Sequence, residues 1–159
     1  MFRTGIGFDA HALVEGRPLV IGGVRIPHSR GLLGHSDADV LVHAVMDAIL
    51  GALALGDIGD HFPDTEDEFK GANSLELLSH VQKMIEEKGY YCENLDSIII
   101  AEKPKLKTYL GEMRENLASA IKINIDQLSI KATTTEYMGF TGREEGIAAQ
   151  AIALLKSNN

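Results

Sequence analysis

The 159-residue sequence has few of the residues that cross-link a chain or anchor it in a membrane. Cys92 is its only cysteine, which excludes an intramolecular disulfide and suits a reducing compartment. No apolar run with a small-residue cleavage site stands near the start, so no signal peptide is indicated. The longest apolar stretch with helical periodicity, residues 40–55, is interrupted by His43 and Asp47 and is too short to span a bilayer comfortably. We therefore expect a cytoplasmic protein with no membrane partner.

Basic charge is scarce as well. The chain has 15 Lys and Arg against 23 Asp and Glu, a formal net charge of −8 at pH 7. Because no basic tract can neutralise a run of phosphates, we do not expect nucleic-acid binding. An acidic protein that binds a small polyanion must supply positive charge locally, and a divalent metal is the most compact source. The ordinary hydrophobic fraction of 45% predicts one folded domain over residues 1–159.

Apolar periodicity predicts strands mixed with helices along the chain. Strands are predicted over residues 6–8, 19–26, 95–101 and 128–133, and helices over 38–53, 74–88, 109–123 and 144–156. Ser36 is predicted to cap the first helix, with Asp39 as its acidic partner. The glycine-rich acidic segment 56–71 is predicted to be a loop. Short connections without an internal repeat indicate a single α+β or α/β sandwich in which helices cover a sheet.

Three residues have the pattern of a metal site. Asp9 and His11 are two positions apart at a predicted strand end, so their side chains point to the same side, and His43 stands on the first helix. Three nitrogen and oxygen ligands leave one tetrahedral position open, as in catalytic zinc sites. Asp39, His43 and Asp47 form a polar stripe on an apolar helix, and either carboxylate is expected to orient His43. The alternative is that Asp-x-His occurs by chance and His43 is a satisfied core residue.

Four further polar segments each have a functional and a plain interpretation. His35 and Ser36 precede the first helix, where an anion can bind, although a simple cap explains Ser36. The acidic loop 57–64 either wraps a polyol or is a solvated turn. Segment 131–136 offers hydroxyls and a carboxylate to phosphate and a hard cation, but threonines are also good strand formers. Segment 101–107 places lysines around a proline, and these lysines either line a nucleotide pocket or only keep a loop solvated.

Three segments together resemble the diagnostic segments of the 2-C-methyl-D-erythritol 2,4-cyclodiphosphate synthase family. They are GFDAHAL, GLLGHSDADVLVHAVMDAILGALALGDIGDHFPD and IKATTTEYMGFTGREEGIAA, and their order and spacing make the combination specific. The resemblance covers nearly the whole chain. It implies a lyase of the non-mevalonate isoprenoid pathway that converts 4-diphosphocytidyl-2-C-methyl-D-erythritol 2-phosphate into the cyclic diphosphate and CMP. It also implies an α+β, ferredoxin-like two-layer sandwich with helices on one side of a mixed sheet, assembled as a homotrimer with active sites between subunits.

The resemblance further implies which residues form the site. One zinc ion per subunit is expected on Asp9, His11 and His43, and a second divalent cation, Mg²⁺ or Mn²⁺, with Glu136. His35 and Thr134 are expected to stabilise the transition state. The substrate contacts implied for the methylerythritol end and its phosphates are Asp9, His11, His35, Ser36, Asp57, Ile58, Gly59, Phe62, Pro63, Asp64, Thr65 and Glu66. Those implied for the cytidine and its phosphates are Ala101, Glu102, Lys103, Pro104, Lys105, Leu106, Lys107, Thr133, Thr134, Thr135 and Glu136.

Phe140 and Arg143 match family positions beside a cavity on the trimer axis, where an isoprenoid diphosphate is expected to bind.

Two other functions stay open at this point. One is a zinc-dependent nucleotide-diphosphate hydrolase, in which the open metal position activates water and His35 serves as base. The other is a non-catalytic trimeric module that binds isoprenoid diphosphates and uses zinc for structure, which the three-ligand pattern disfavours because structural zinc usually has four protein ligands.

Overall fold

The computed structural model of the chain describes residues 1–63, 65 and 70–158. Its strands are β1 (Phe2–Glu15), β2 (Leu19–Ile21), β3 (Val24–Ile26), β4 (Arg30–Leu32), β5 (Tyr90–Ile100), β6 (Leu128–Thr133) and β7 (Gly146–Ser157). Its helices are α1 (Val40–Ala52), α2 (Ile58–His61), α3 (Ser74–Glu87), α4 (Leu110–Ile121) and α5 (Gly139–Gly142). Within the described ranges, no helix has the length and apolar character needed to cross a membrane.

Five strands form the main sheet, in the order β4-β1-β7-β5-β6, and β2 with β3 forms a separate hairpin. β7 is antiparallel to both β1 and β5, whereas β5 and β6 are parallel and are joined through α4, the kind of crossover that parallel neighbours require. The predicted mixed sheet with helices is therefore confirmed. When the short edge strand β4 is set aside and α1 with α3 is counted as one helical connection, the main sheet is built in the order β-α-β-α-β-β. A ferredoxin-like chain runs β-α-β-β-α-β, so the ferredoxin-like expectation describes the layers and not the connections.

The helix α1 lies directly on β1 because two glycines of the strand have no side chain. A Cβ atom added at Gly5 would lie 2.0 Å from the carbonyl oxygen of Ala48, and one added at Gly7 would lie 1.9 Å from that of Ala44. The two alanines are one helical turn apart and face the strand. This close approach places the first turn of α1 over the part of β1 that carries Asp9 and His11.

The remaining helices complete the layer over the sheet. The apolar stripe predicted for α3 is buried, with Leu78, Val81 and Ile85 fully inaccessible, and α4 contributes Met113 and Leu117 to the same core. On the opposite face of the sheet, the described residues leave apolar side chains of β1 and β7 exposed. Ile6 is 63% exposed there and its partner in β7, Ile152, is 52% exposed.

The largest correction concerns residues 144–156, for which the predicted helix is wrong. The structure has the central strand β7 there, between β1 and β5. Its odd-numbered side chains from Ile147 to Leu155 are buried under the helices. Alanine favours helices in isolation, but its small side chain also suits a strand on which a helix lies closely, and the tertiary packing decides between the two.

Two other predicted elements differ in extent. The single strand predicted over residues 19–26 is a hairpin, because Gly22 and Gly23 both have positive φ, 59° and 71°, as a two-residue turn requires. The strand predicted over residues 6–8 extends through Phe2–Glu15, so Asp9 and His11 lie within a strand instead of at its end. Alternation still places both side chains on the same face.

Candidate active site

Asp9, His11 and His43 bring three ligand atoms together. Asp9 Oδ2 lies 2.9 Å from His11 Nε2 and 3.0 Å from His43 Nδ1, and the two ring nitrogens are 3.2 Å apart. Ligands arranged tetrahedrally around zinc, at about 2.05 Å from the metal, are about 3.3 Å from one another. The three atoms therefore have nearly the spacing of one face of a tetrahedral site, and they fit a divalent metal ion. Within the described residues this is the only such cluster of three.

Asp9 and His11 shift each other's pKa values. Burial alone would raise the pKa of Asp9, but hydrogen bonds and the charges of His11 and His43 outweigh it and hold that pKa well below its usual range. Burial also opposes a charge on His11, yet the hydrogen bond and the charge of Asp9 raise the pKa of His11 above its ordinary value. Asp9 is therefore ionised at neutral pH and supplies the negative charge that a divalent cation needs.

Each histidine is oriented through its second ring nitrogen. His11 Nδ1 lies 2.7 Å from the carbonyl oxygen of Leu33, an acceptor that keeps a proton on Nδ1 and leaves Nε2 for a metal. His43 Nε2 lies 3.1 Å from Ser74 Oγ and 3.2 Å from Ser36 Oγ. Sequence reasoning missed both Leu33 and Ser74. A backbone carbonyl has no sequence signal, and Ser74 has the local pattern of an ordinary helix start.

The expectation that Asp39 or Asp47 orients His43 is wrong in this structure, because both carboxylates are engaged elsewhere. Asp39 is buried and accepts hydrogen bonds from the backbone N–H groups of Gly22, Gly23 and Val42, at 2.7–3.1 Å. Burial raises the pKa of Asp39 to about 6 despite these amide donors. Asp47 accepts from the backbone N–H of Ile58 at 2.8 Å, and burial raises its pKa.

The predicted helix cap is also corrected. The cap of α1 is Asp39, whose side chain accepts from the N–H of Val42, and not Ser36. Between them, Ala38 has a φ of 56°, in the left-handed region that reverses the chain before α1 begins. Ser36 instead accepts from the N–H of Ala38 at 3.2 Å, and Arg17 donates to the carbonyl oxygen of Ser36 at 2.9 Å.

A cleft of about 220 Å³ opens beside the three ligand atoms. It is lined by Asp9, His11, His35, Ser36, His43, Met46, Ile58, Gly59, Phe62 and Leu77. The structure thus brings together predicted site residues from three separate segments. Met46 and Leu77 were missed, because their spacing is that of core positions on α1 and α3 and nothing local distinguishes them.

The other residues predicted for this end of the substrate are placed differently. Asp57 caps α2 by accepting from the N–H of Asp60, and the lining of the cleft includes neither Asp57 nor Pro63 nor Thr65. Asp64 and Glu66 lie outside the described residues. Substrate contact by these five residues stays a prediction.

A second pocket, of about 270 Å³, lies where β5 and β6 end. It is lined by Ala101, Glu102, Pro104, Lys105, Leu106, Lys107, Ala132, Thr133 and Thr134. Because β5 and β6 are parallel neighbours with Ile100 opposite Thr133, the segments that follow them leave the sheet at the same edge. Lys103 does not line this pocket, and its Nζ lies 3.3 Å from Glu144 Oε1.

The turn after this pocket carries the other predicted site residues. Thr134 Oγ1 donates to Glu136 Oε1 at 3.3 Å, and Thr135 Oγ1 lies 2.9 Å from Thr141 Oγ1. Phe140 is 41% exposed, and the guanidinium of Arg143 is paired with Glu145 at 2.9 Å. None of Thr135, Glu136, Phe140 and Arg143 lines either pocket.

Two strands separate the candidate metal ligands from the second pocket in one chain. Asp9 of β1 is opposite Ala149 of β7, which is opposite Ile99 of β5, which is opposite Ala132 of β6. Three strand spacings of about 4.8 Å put the backbone of Asp9 about 14 Å from that of Ala132. The single chain therefore has the two predicted halves of the site at a distance from each other.

This fold and site define a small α+β enzyme domain with three side chains placed to bind a divalent metal ion. A family model, described as the YgbB family, matches residues 2–156. The chain belongs to the YgbB family. A relative from Desulfitobacterium hafniense, named 2-C-methyl-D-erythritol 2,4-cyclodiphosphate synthase, is 60% identical over 155 residues, which cover 98% of each chain. The family predicted from the sequence motifs is thereby confirmed.

Solved structures of related proteins have the same fold. The bifunctional IspDF from Campylobacter jejuni superposes with a TM-score of 0.96 at 45% identity, over 100% of this chain and 43% of that chain. This chain therefore spans less than half of the Campylobacter protein. IspF from Plasmodium falciparum in complex with CDP superposes with a TM-score of 0.87 at 34% identity, over 99% of this chain and 97% of that chain.

Proposed function

We propose that this chain converts 4-diphosphocytidyl-2-C-methyl-D-erythritol 2-phosphate into 2-C-methyl-D-erythritol 2,4-cyclodiphosphate and CMP, a lyase reaction of the non-mevalonate isoprenoid pathway. The activity and the enzyme class predicted from the sequence agree with the name of the Desulfitobacterium relative. The observation that carries the proposal is the triangle of Asp9, His11 and His43 ligand atoms beside the cleft. Three ligands leave room for a substrate oxygen, as catalytic sites do.

The metal we propose at this triangle is one zinc ion per subunit, held by Asp9 Oδ2, His11 Nε2 and His43 Nδ1. When bound, zinc supplies an open coordination position and a positive charge for a phosphate oxygen of the substrate. The donor set of two imidazoles and one carboxylate suits zinc, whereas Mg²⁺ prefers oxygen ligands. The positive charge also offsets the protein's net charge of −8, which would otherwise repel a polyanion.

The cleft residues are proposed to hold the methylerythritol diphosphate end. His35 and Ser36 line the cleft next to the ligand atoms, where their side chains can donate to phosphate oxygens. Ile58, Gly59 and Phe62 also line the cleft, and this segment is tied to α1 because Asp47 accepts from the N–H of Ile58. The attacking 2-phosphate oxygen is already ionised, so these residues position the reactants and need not remove a proton.

The second pocket is proposed to hold the cytidine and its phosphates. Lys105 and Lys107 bring positive charge to a pocket that also has the hydroxyls of Thr133 and Thr134. The Plasmodium falciparum relative, 97% of whose chain superposes on this one, was solved as a CDP complex, and this supports a cytidine nucleotide as the ligand class. We propose that Thr134 stabilises the transition state with His35. Glu136, whose carboxylate Thr134 contacts, is proposed to bind the second divalent cation, Mg²⁺ or Mn²⁺.

The assembly we propose is a homotrimer in which these two pockets belong to neighbouring subunits. The face of the sheet away from the helices exposes Phe2, Ile6 and Phe8 by 58–63%, an apolar patch typical of an interface. The distance of about 14 Å between the two halves of the site within one chain also favours completion by a neighbour. Phe140 and Arg143 are proposed to lie near the trimer axis and to bind an isoprenoid diphosphate there.

Phosphorus NMR tests the proposed reaction. The protein is incubated with zinc, magnesium and the cytidyl-methylerythritol phosphate substrate, beside a His43→Ala variant and a His80→Ala control that removes an exposed histidine of α3. We expect CMP and a cyclic diphosphate from the wild type and from His80→Ala, and no product from His43→Ala. A linear phosphate with CMP would instead identify a hydrolase, and an unchanged substrate would identify a binding module.

A further inference from the structure

The two ring nitrogens of His43 face opposite kinds of neighbour. Nδ1 points at the metal triangle, 3.0 Å from Asp9 Oδ2, and Nε2 points at two serine hydroxyls, Ser74 at 3.1 Å and Ser36 at 3.2 Å. His43 is only 7% exposed, so water has little access to replace these partners. A neutral imidazole carries one ring proton, and its neighbours decide which nitrogen holds it.

Asp9 by itself would place the ring proton of His43 on Nδ1, the nitrogen that must be free to bind a metal. Its carboxylate only accepts hydrogen bonds, so it draws the ring proton of His43 to Nδ1, the nitrogen whose lone pair a metal needs. A metal ligand of this kind therefore requires an acceptor on the opposite side of the ring, which keeps the proton on Nε2. For His11 the carbonyl oxygen of Leu33 does this.

Ser74 is committed to act as an acceptor by its other partner. Its side chain is buried and its hydroxyl donates to Asp37 Oδ1, while its backbone N–H donates to Asp37 Oδ2 at 3.0 Å. Because a hydroxyl has one proton and a carboxylate accepts only, Ser74 Oγ has nothing left to donate towards His43. The Nε2 side of His43 therefore faces an oxygen whose proton points away.

We propose that Asp37 and Ser74 are a positioning pair that fixes the polarity of the hydrogen bond to His43 and so presents Nδ1 to the metal. Neither Asp37 nor Ser74 lines the cleft, so the pair acts through His43. This inference rests on the proposed metal centre. Asp37 also ties the segment before α1 to the start of α3, because its N–H donates to the carbonyl oxygen of Ala72 at 3.1 Å.

Two substitutions change this hydrogen bond in different ways. Ser74→Ala removes the buried acceptor and leaves Ser36 alone beside Nε2. Asp37→Ala removes the carboxylate that accepts from the Ser74 hydroxyl and from the N–H groups of Ser74 and Asp39, so the serine proton is free to turn towards Nε2. A donor then faces the nitrogen that must carry a proton when a metal is bound at Nδ1.

Zinc affinity, measured by competition with a chelator, tests the pair. We expect Ser74→Ala to weaken zinc binding about 10-fold and Asp37→Ala about 100-fold, the range seen when partners of metal ligands are removed. The double variant should bind like Ser74→Ala, because the reversed polarity has no route to His43 without the serine hydroxyl. Ser79→Ala is the control, since that hydroxyl donates to the carbonyl oxygen of Leu75 on the same helix and its loss should leave zinc binding unchanged.

A second readout is the Nε2–H proton of His43 in the zinc-loaded protein, labelled with ¹⁵N-histidine. We expect this proton to exchange slowly with water in the wild type and faster in Ser74→Ala. Wild-type zinc affinity in both single variants would overturn the inference, and so would losses that simply add in the double variant, because independent packing effects would explain them. If the wild type binds no zinc, or binds it no better than His43→Ala, the proposed metal centre itself fails.

Discussion

Replacing Gly7 by alanine inserts a methyl group where the backbone of α1 lies on β1. The new Cβ would be 1.9 Å from the carbonyl oxygen of Ala44, which is the residue after the candidate metal ligand His43. Relief of this contact to an ordinary separation of about 3.5 Å requires a shift of about 1.5 Å. Both partners are backbone, so no side chain can rotate out of the way.

The displacement should affect stability and metal binding together. Overpacking of a core lowers the free energy of unfolding by about 1–3 kcal/mol, and we expect a clash between two backbones to reach the upper end, about 3 kcal/mol. For a domain of this size each kcal/mol lowers Tm by about 2–4 °C, so we expect a fall of about 6–12 °C. Metal sites tolerate deviations of only about 0.2 Å, so the movement of His43 should weaken zinc binding by more than about 100-fold.

Thermal unfolding by circular dichroism and zinc titration against a chelator measure the two effects. Gly111→Ala is the matched control, because that glycine lies in α4 and an added Cβ meets nothing within 4 Å. We expect the control to keep the wild-type Tm or to raise it by up to about 4 °C, since a Gly-to-Ala change in a helix stabilises by about 1 kcal/mol. A Gly7→Ala protein with unchanged Tm and zinc affinity would refute the view that the glycines of β1 determine the position of α1.

Two further predictions concern the assembly and the charge of the site. Ile6→Asp puts a carboxylate on the exposed apolar face, and we expect it to convert the proposed trimer into monomers. Light scattering measures the mass, with Glu76→Gln on α3 as the control. An Ile6→Asp protein that stays trimeric would contradict the proposed interface. The folded-state pKa of Asp9 lies below its unfolded value, so its ionisation stabilises the zinc-free protein above about pH 4, and that stability is lost as the pH falls through the folded pKa. The difference in unfolding free energy between wild type and Asp9→Asn should therefore shrink between pH 5 and pH 2, and a constant difference would contradict the assignment.

The spacing of apolar residues along the chain is sufficient to predict those helices and strands whose sequence has one clear period. The stripe of α3 and the apolar run of β6 were predicted within a few residues, and the two-residue spacing of Asp9 and His11 correctly placed both on one face. It failed for β7, where alanine satisfies both helix propensity and a crowded central strand. Which of the two forms depends on the neighbours β1 and β5, and those are far away in the sequence.

The candidate site shows the same division. Chemistry and spacing alone predict Asp9, His11 and His43 as metal ligands, because only a few side chains bind divalent metals. The packing of the folded chain, in contrast, places Ser74, and neither Asp39 nor Asp47, within hydrogen-bond distance of His43 Nε2. Hydrogen bonds act over about 3 Å, and the residue within that distance is chosen by how α1, α3 and β1 pack, which no local pattern encodes.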